Sequence, residues 1–373
     1  MTNVADTART DQKENMDTSS AAPVIEVKDL EVVYETPNGA LKAVDGVSFS
    51  LRPGERLALV GESGSGKTTL ATALMRLTKA PGRITAGSVV MNGRNLLEAS
   101  DKDMRSMRLS EIALMPQGAM NSLNPVMRIG EQIYDGIVAH EGKQARAKLV
   151  ARATELLERV GLEGSVQSLY PHELSGGMKQ RVAMAIATSL SPTVIVADEP
   201  TSALDVVVQQ QVMVTLGEVQ EGLNAAVILV GHDMGLVAQF ADLIGVMYAG
   251  RLVELATVQN LFKNPQHPYT RLLIDSLPTL EEKSDLIGIP GLPPTLLNLP
   301  PGCAFAPRCP YAFERCSDEI PAAQSLPSGT NTACHLYPEH SELPTLAKSQ
   351  STAEAIIESE LKMDTTPPEE TRG

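Results

Sequence analysis

The chain contains no tryptophan, and phenylalanine and tyrosine bring its aromatic fraction to only 3%. Basic residues are also scarce, with 31 Lys and Arg against 45 Asp and Glu, and the formal charge is −14. Nucleic-acid-binding proteins need clustered cations that neutralise phosphates and aromatic faces on which bases stack. The composition therefore argues against a general nucleic-acid binder, and we expect no nucleic-acid partner.

Long hydrophobic runs are missing as well. The apolar run Ala225–Val230 has six residues, whereas a helix needs about 20 apolar residues to cross a bilayer. The N-terminal segment, residues 1–22, is polar and has no apolar signal core. These absences predict a chain that is cytosolic or that is docked on a membrane through another subunit.

Cysteine is absent from the first 302 residues, and four cysteines then fall within 32 residues. A cytosolic chain does not normally use such residues as disulfides, so a tight cluster indicates a metal site. Their spacing fits neither common ferredoxins nor the usual zinc ribbon, although the loops between them are long enough to fold back. The cluster consists of Cys303, Cys309, Cys316 and Cys334.

Most of the chain can nevertheless fold, because 43% of it is hydrophobic and 20% charged. Between residues 24 and 262, short β-branched strand patterns alternate with longer helical patterns, which predicts an α/β fold with a mostly parallel sheet. Residues 263–340 are rich in proline and predict a linker and a small irregular domain. The terminal segments, 1–23 and 341–373, are polar and predicted to be disordered.

A glycine-rich octapeptide follows the apolar strand pattern that ends at Val60, and a helical pattern follows it. It fits the phosphate-loop motif G-x-x-x-x-G-K-[ST]. Its glycines allow successive N–H groups to face one anion, and the helix N-terminus adds its positive end. Lys67 is predicted to bridge the outer phosphates, and Thr68 to ligate Mg²⁺. The predicted nucleotide-binding residues here are Gly61, Glu62, Ser63, Gly64, Ser65, Gly66, Lys67, Thr68 and Thr69.

A second acidic element is the apolar strand pattern that runs into Asp198 and Glu199. The end of a strand beside a phosphate loop is where an acid associated with magnesium belongs. Asp198 is predicted to hold Mg²⁺, mainly through water, and Glu199 to polarise the attacking water. The two elements together predict that the chain binds a nucleoside triphosphate with Mg²⁺ and hydrolyses it.

The segment Leu174-Ser-Gly-Gly-Met-Lys-Gln-Arg181 opens a helical pattern 17 residues before Asp198. With this signature, the chain resembles the ATP-binding cassette (ABC) family over residues 24–262. The resemblance implies a P-loop NTPase cassette with a mixed sheet core and a helical subdomain at about 118–175. It also implies a dimer, in which the signature of one cassette completes the phosphate site of the other.

Further residues match functional positions of that family. With Lys67 and Glu199, the resemblance places Gln117 and His232 in the catalytic set, and it adds Gln117 to the magnesium site of Thr68 and Asp198. The matching residues are Tyr34 for stacking on adenine, Gln117 for sensing Mg²⁺ and the transport subunit, Ser175, Gly176 and Gly177 for the γ-phosphate, Asp205 for linking the two sites, and His232 as the switch histidine.

Three stretches resemble the ATPases of dipeptide and oligopeptide importers: Met115–Pro125, Leu261–Leu273 and the C-terminal region from Ile289. The resemblance implies a peripheral subunit on the cytoplasmic face of the cell membrane. Its partners would be an identical or homologous second ATPase, two permease subunits and an extracytoplasmic solute-binding protein. Relatives that carry oligosaccharides or nickel leave the cargo open.

Two further alternatives remain at this stage. One is a cassette ATPase without a transport role, although the interval between phosphate loop and signature is too short for the coiled coil of repair ATPases. The other concerns the metal: some relatives hold a 4Fe-4S cluster on matching cysteines, and zinc, with His335 as a spare ligand, is the second possibility.

Overall fold

The computed structural model describes residues 22–118, 122–277 and 288–337. The tails predicted to be disordered, apart from residues 22 and 23, lie outside these described residues. Two β-sheets and the helices packed on them make up the described chain. Both sheets contribute to the position of the predicted nucleotide site.

The smaller sheet is antiparallel and is built from the segments on either side of the phosphate loop. Its first two strands pair along most of their length, and the third pairs with the first on the other side. The strands are β1 (Ile25–Thr36), β2 (Gly39–Leu51), β4 (Gly82–Met91) and β5 (Arg94–Asn95), in the order β2-β1-β4-β5.

The larger sheet carries a parallel centre and an antiparallel edge. Its strands are β3 (Arg56–Val60), β6 (Ile112–Met115), β7 (Val194–Asp198), β8 (Ala226–Val230), β9 (Leu243–Tyr248), β10 (Arg251–Thr257), β11 (Gln324–Ser325) and β12 (Asn331–Thr332). They lie in the order β11-β12-β10-β9-β3-β8-β7-β6. Strands β9, β3, β8, β7 and β6 run parallel. Every residue of β7 and β8 is buried, as expected for apolar strands covered on both faces.

Helices cover the larger sheet and form the segment between β6 and β7. They are α1 (Lys67–Leu74), α2 (Asp101–Met107), α3 (Ile129–Glu141), α4 (Arg146–Arg159), α5 (Gly176–Ala187), α6 (Val206–Leu223), α7 (Met234–Phe240), α8 (Val258–Lys263), α9 (Pro268–Asp275) and α10 (Glu314–Asp318). Helices α3 and α4 lie inside the predicted helical subdomain. In the described part of the chain, no helix is both long and apolar enough to cross a bilayer.

The C-terminal region is joined to the larger sheet. Strand β12 pairs with β10 in antiparallel register, with Thr332 opposite Glu254 and Asn331 opposite Leu255. Tyr337 also donates a hydrogen bond from its hydroxyl to the side-chain Oε1 of Gln266, at 2.7 Å. Strand pairing therefore continues across the boundary that the sequence places at residue 262.

Candidate nucleotide-binding site

The phosphate loop connects the end of β3 to the first residue of α1. Gly61 and Gly66 have φ angles of +141° and +102°, a region that side-chain-bearing residues rarely adopt. A Cβ atom at Gly61 would lie 2.1 Å from the carbonyl oxygen of Met247, and one at Gly66 would lie 2.1 Å from that of Ala43. The loop is therefore pressed against the backbones of β9 and β2 at two points where only glycine fits.

Lys67 turns its ammonium group back into this loop. Its Nζ donates hydrogen bonds to the carbonyl oxygens of Gly61, at 2.8 Å, and Glu62, at 2.9 Å. Burial lowers the pKa of Lys67, while the nearby carboxylates of Glu199, Asp198 and Glu62 raise it. A buried cation surrounded by the loop backbone is a suitable ligand for the phosphates of a nucleotide.

Thr68, in the first turn of α1, and Asp198, at the end of β7, are in direct contact. The Thr68 hydroxyl donates to Oδ1 of Asp198, at 3.1 Å, and the carboxylate is buried. Burial raises the pKa of Asp198, and the hydrogen bond from Thr68 opposes that shift. A hydroxyl and a carboxylate side by side are the oxygen donors that Mg²⁺ prefers, so these residues fit the predicted magnesium site.

Glu199 and Gln117 form a second pair beside the first. Nε2 of Gln117 donates to Oε2 of Glu199, at 2.9 Å. Glu199 has a φ of +45°, which is uncommon for a residue with a side chain and occurs often at functional sites. Its backbone is held there by a hydrogen bond from its N–H to the carbonyl oxygen of Val230, at 2.9 Å. The carboxylate is thus fixed next to Asp198.

These residues converge because of the sheet topology. The phosphate loop follows β3, and His232 follows β8. Asp198 ends β7, Glu199 comes directly after it, and Gln117 follows β6. The four strands are parallel neighbours in the order β3-β8-β7-β6, so their carboxyl ends lie along one edge. Ligand sites in such sheets form at this edge. His232 itself is exposed.

Tyr34 lies on the smaller sheet, where β1 pairs with β4. Its Cα pairs with that of Gly82, and a Cβ atom at Gly82 would lie 2.6 Å from Cε1 of the tyrosine ring. The ring therefore covers Gly82 and is half-buried. A side chain at that glycine would displace the ring.

Two neighbouring helices begin at the signature and at Asp205. Oγ of Ser175 accepts a hydrogen bond from the Met178 N–H at the start of α5, and Oδ1 of Asp205 accepts one from the Val208 N–H at the start of α6. Ser175 and Asp205 are therefore N-caps, each of which satisfies a backbone N–H group in the first turn of its helix. Ser175 and Asp205 are exposed. The structure thus presents the signature at the surface, with hydrogen bonds that are local to its own helix.

Comparisons with known proteins agree with this arrangement. Residues 44–202 match the model of the ABC transporter family, and residues 253–316 match that of the oligopeptide/dipeptide transporter C-terminal region. The dipeptide transport ATP-binding protein DppD of Lactococcus lactis subsp. cremoris is 44% identical over 80% of this chain and 86% of its own length. The chain belongs to the ABC transporter family.

Other members of that family are similar over comparable lengths. The oligopeptide transport ATP-binding protein OppD of Salmonella typhimurium is 42% identical over 85% of this chain and 96% of its own. Among solved structures, a dimeric, post-hydrolysis state of the ATP-binding cassette MJ0796 bound to ADP and Pi superposes with a TM-score of 0.57 at 27% identity. That likeness covers 63% of this chain and 98% of the other. The predicted cassette fold is therefore confirmed, and the chain is an ABC ATPase; the predicted irregular C-terminal domain stays a prediction.

Two residues of this ABC ATPase reach the phosphate loop and were not among those predicted. Tyr269, on α9, accepts a hydrogen bond from the Glu62 N–H to its hydroxyl, at 2.9 Å. Arg308, in the C-terminal region, donates from both of its terminal nitrogens to the carboxylate of Glu62, at 2.7 and 2.9 Å. Both are more than 200 residues away in sequence, so no local pattern indicates these contacts.

The four cysteines are near one another, but they are not arranged as metal ligands. Burial raises the pKa of Cys334 to about 12, and the charges that the other three cysteines carry as thiolates add to that shift. Within residues 22–118, 122–277 and 288–337, however, no group of three or more His, Cys, Asp or Glu residues is placed to hold a metal ion. All four cysteines are free. The predicted 4Fe-4S or zinc site thus finds no support, because proximity in the chain and in space has not produced ligand geometry.

Proposed function

We propose that this ABC ATPase is the ATP-hydrolysing subunit of a dipeptide or oligopeptide importer. The observation that carries the proposal is the pair of contacts Thr68–Asp198 and Gln117–Glu199 at the edge of the sheet that also holds the phosphate loop. These contacts support a single site in which Lys67 would bind phosphate, Thr68 and Asp198 would hold Mg²⁺, and Glu199 would act as the base.

Each side chain has a separate task in this proposal. Lys67 and the loop N–H groups bind the β- and γ-phosphates of ATP, and Thr68 and Asp198 hold Mg²⁺. The bound cation would neutralise charge that develops on the phosphate oxygens. Glu199 accepts a hydrogen bond from the attacking water, while Gln117 keeps the carboxylate oriented. His232, exposed at the same edge, is proposed as the switch residue, and Tyr34 as the platform for adenine.

The exposed helix starts support action as a pair of cassettes. Ser175 and Gly176 offer the N-terminal end of α5 at the surface, where a helix attracts an anion. The proposal is that this end contacts the γ-phosphate held by a second cassette, which can be identical or homologous. ATP then favours the closed pair, and hydrolysis removes the contact that holds it. Asp205 would link the two sites.

The choice of cargo rests on the C-terminal region and on relatives. Residues 253–316 match a region of oligopeptide and dipeptide transporters, and the relatives named above are described as dipeptide and oligopeptide transport proteins. We infer the same cargo class, two permease subunits, a solute-binding protein and a peripheral place on the cytoplasmic face of the membrane. Oligosaccharides and nickel are the competing cargoes, and uptake assays with the co-purified permease distinguish all three.

The substitution Glu199→Gln tests the catalytic role. It keeps the hydrogen-bonding shape but removes the carboxylate that activates water, so we expect ATP hydrolysis to fall by about 10²- to 10⁴-fold while ATP still binds. Turnover in the reconstituted transporter and the fraction of closed cassette pairs measure the two effects. The control is Glu218→Gln, which makes the same change at an exposed position of α6. Wild-type turnover in Glu199→Gln would contradict the assignment.

The proposed function assigns no role to the four cysteines. Burial raises the pKa of the Cys309 thiol to about 11. Within the described residues, no group of three or more His, Cys, Asp or Glu residues is placed to hold a metal ion, so the proposal treats the cysteines as free thiols and includes neither an iron–sulfur cluster nor zinc. Iron and zinc analysis of protein purified anaerobically decides between the three states, and four equivalents of iron with a visible absorption band would restore the iron–sulfur hypothesis.

A further inference from the structure

Glu62 is the second residue of the phosphate loop, and the structure fixes it at three different atoms. Its N–H donates to the hydroxyl of Tyr269, at 2.9 Å, and its carbonyl oxygen accepts from Nζ of Lys67, also at 2.9 Å. Its carboxylate receives two hydrogen bonds from Arg308, at 2.7 and 2.9 Å. One loop residue thus connects the phosphate-binding lysine to the C-terminal region.

Arg308 is itself held in place before it reaches the loop. Its side chain is only 5% exposed. Nε donates to the carbonyl oxygen of Pro290, at 2.8 Å, and a terminal nitrogen donates to the hydroxyl of Tyr248, at 3.2 Å. The guanidinium also lies 6.0 Å from the ring centre of Phe305. A planar group fixed in this way can make the parallel two-point contact with a carboxylate that lysine cannot make.

The charge of Glu62 explains why such a contact matters. The loop must bind a polyanion, yet the residue whose carbonyl oxygen accepts a hydrogen bond from Nζ of Lys67, at 2.9 Å, also carries a carboxylate. Left alone, it would repel the phosphates and compete with them for Lys67. Arg308 supplies the opposite charge and draws the carboxylate towards the C-terminal region.

We propose that Arg308 is a positioning residue of the ATP site: it neutralises and orients Glu62, so that the C-terminal region contributes to the binding of phosphate. The inference deepens the proposed function and rests on it, because it concerns the same binding site. It assigns the region around the cysteines a direct role in nucleotide affinity.

The test measures the affinity of the full chain for ATP with Mg²⁺, using a fluorescent ATP analogue. We expect Arg308→Ala to raise the dissociation constant about tenfold, since it leaves an unpaired carboxylate beside the phosphates. We then expect Glu62→Gln, added to Arg308→Ala, to return the dissociation constant to within about threefold of wild type, because the repelling charge is gone. A residue that only supported the fold would show no such rescue.

The matched control is Arg315→Ala, which removes an exposed arginine of the same region that pairs with Glu319. It should leave the dissociation constant unchanged. Should Arg308→Ala fail to fold, Arg308→Lys keeps one charge without the two-point contact, and Glu62→Gln should rescue its weaker defect too. Wild-type affinity in the arginine variants, or a double variant as weak as the single one, would overturn the inference. A wild-type chain that binds no ATP would instead refute the proposed function.

Discussion

At the predicted nucleotide site, burial and the neighbouring polar groups distinguish the side chains, rather than their residue type. Lys67 is buried, yet its ammonium group donates hydrogen bonds to two carbonyl oxygens of its own loop and lies within electrostatic range of three carboxylates. Such a cation is stable only because these groups replace its lost hydration. Under the proposed function, a phosphate would replace these groups as the partner of Lys67, so the loop would already be arranged for an anion.

The substitution Lys67→Ala tests this residue directly. It removes the buried cation while the loop glycines stay in place, so we expect the affinity for ATP with Mg²⁺ to fall by about 10- to 100-fold. Titration with a fluorescent ATP analogue measures the change. Lys79→Ala, at an exposed position shortly after α1, is the control and should bind normally. Unchanged affinity in Lys67→Ala would remove the lysine from the site.

At the scale of elements, a single glycine determines how closely helices α5 and α6 pack. Gly177, in the first turn of α5, is buried against α6. A Cβ atom at this position would lie 2.6 Å from Cγ1 of Val208, closer than side-chain atoms normally approach. The signature glycine therefore also sets the distance between the two helices that present Ser175 and Asp205.

This packing makes the effect of Gly177→Ala depend on its neighbour. In the wild-type chain the added methyl group meets a stiff β-branched side chain, so we expect a loss of about 1–3 kcal/mol in the free energy of unfolding. In a Val208→Ala background the clash is gone, and the better helix propensity of alanine should give a gain of up to about 1 kcal/mol. Denaturant unfolding of the wild type, the two single variants and the double variant measures both values.

The change of sign is the decisive feature of that comparison. If Gly177→Ala is equally destabilising in both backgrounds, contact with Val208 is not the reason for the glycine. If it is harmless in both, the helices separate freely and do not define a fixed distance.

At the scale of the whole molecule, the C-terminal region is tied to the cassette by a buried carboxylate. Glu254, on β10, accepts hydrogen bonds from the N–H groups of Gln266 and His267, at 2.7 and 2.8 Å. The side chain is fully buried, and burial raises its pKa from 4.5 to about 7. The turn before α9, and with it Tyr269, is thereby anchored to the edge of the sheet.

Glu254 gives the fold a dependence on pH with a defined sign. The unfolded chain loses this proton near pH 4.5 and the folded chain near pH 7, so the folded state binds more protons between these values. The stabilisation that Glu254 contributes to the folded state is complete below pH 4.5 and is lost as the pH rises through 7. We expect the stability advantage of wild type over Glu254→Gln to be larger at pH 4.5 than at pH 7.5, by about 3 kcal/mol.

Free energies of unfolding at several pH values, measured for both proteins, provide the check. The variant Glu218→Gln, which loses an exposed carboxylate, should follow the wild-type curve. Parallel curves for wild type and Glu254→Gln would show that Glu254 titrates alike in the folded and unfolded chains.

Much of this organisation could be predicted from local patterns. The helical pattern that the signature opens is observed as α5, and the predicted strand before Asp198 is observed as β7. The phosphate loop and the two acids follow from short motifs, because each depends on a few adjacent residues and the strand or helix beside them. Cysteine spacing, by contrast, does not fix where the side chains lie, and among the described residues no group of three or more His, Cys, Asp or Glu residues is placed to hold a metal ion.

The sequence by itself determined the phosphate loop, the alternation of strands and helices and the membership of the ABC transporter family, since each is encoded in neighbouring residues. Only the tertiary structure decided that Gln117 meets Glu199, that Gly177 must clear Val208 and that Arg308 pairs with Glu62. These contacts join residues from 31 to 246 positions apart. Their geometry depends on how the whole chain packs, which no local pattern contains.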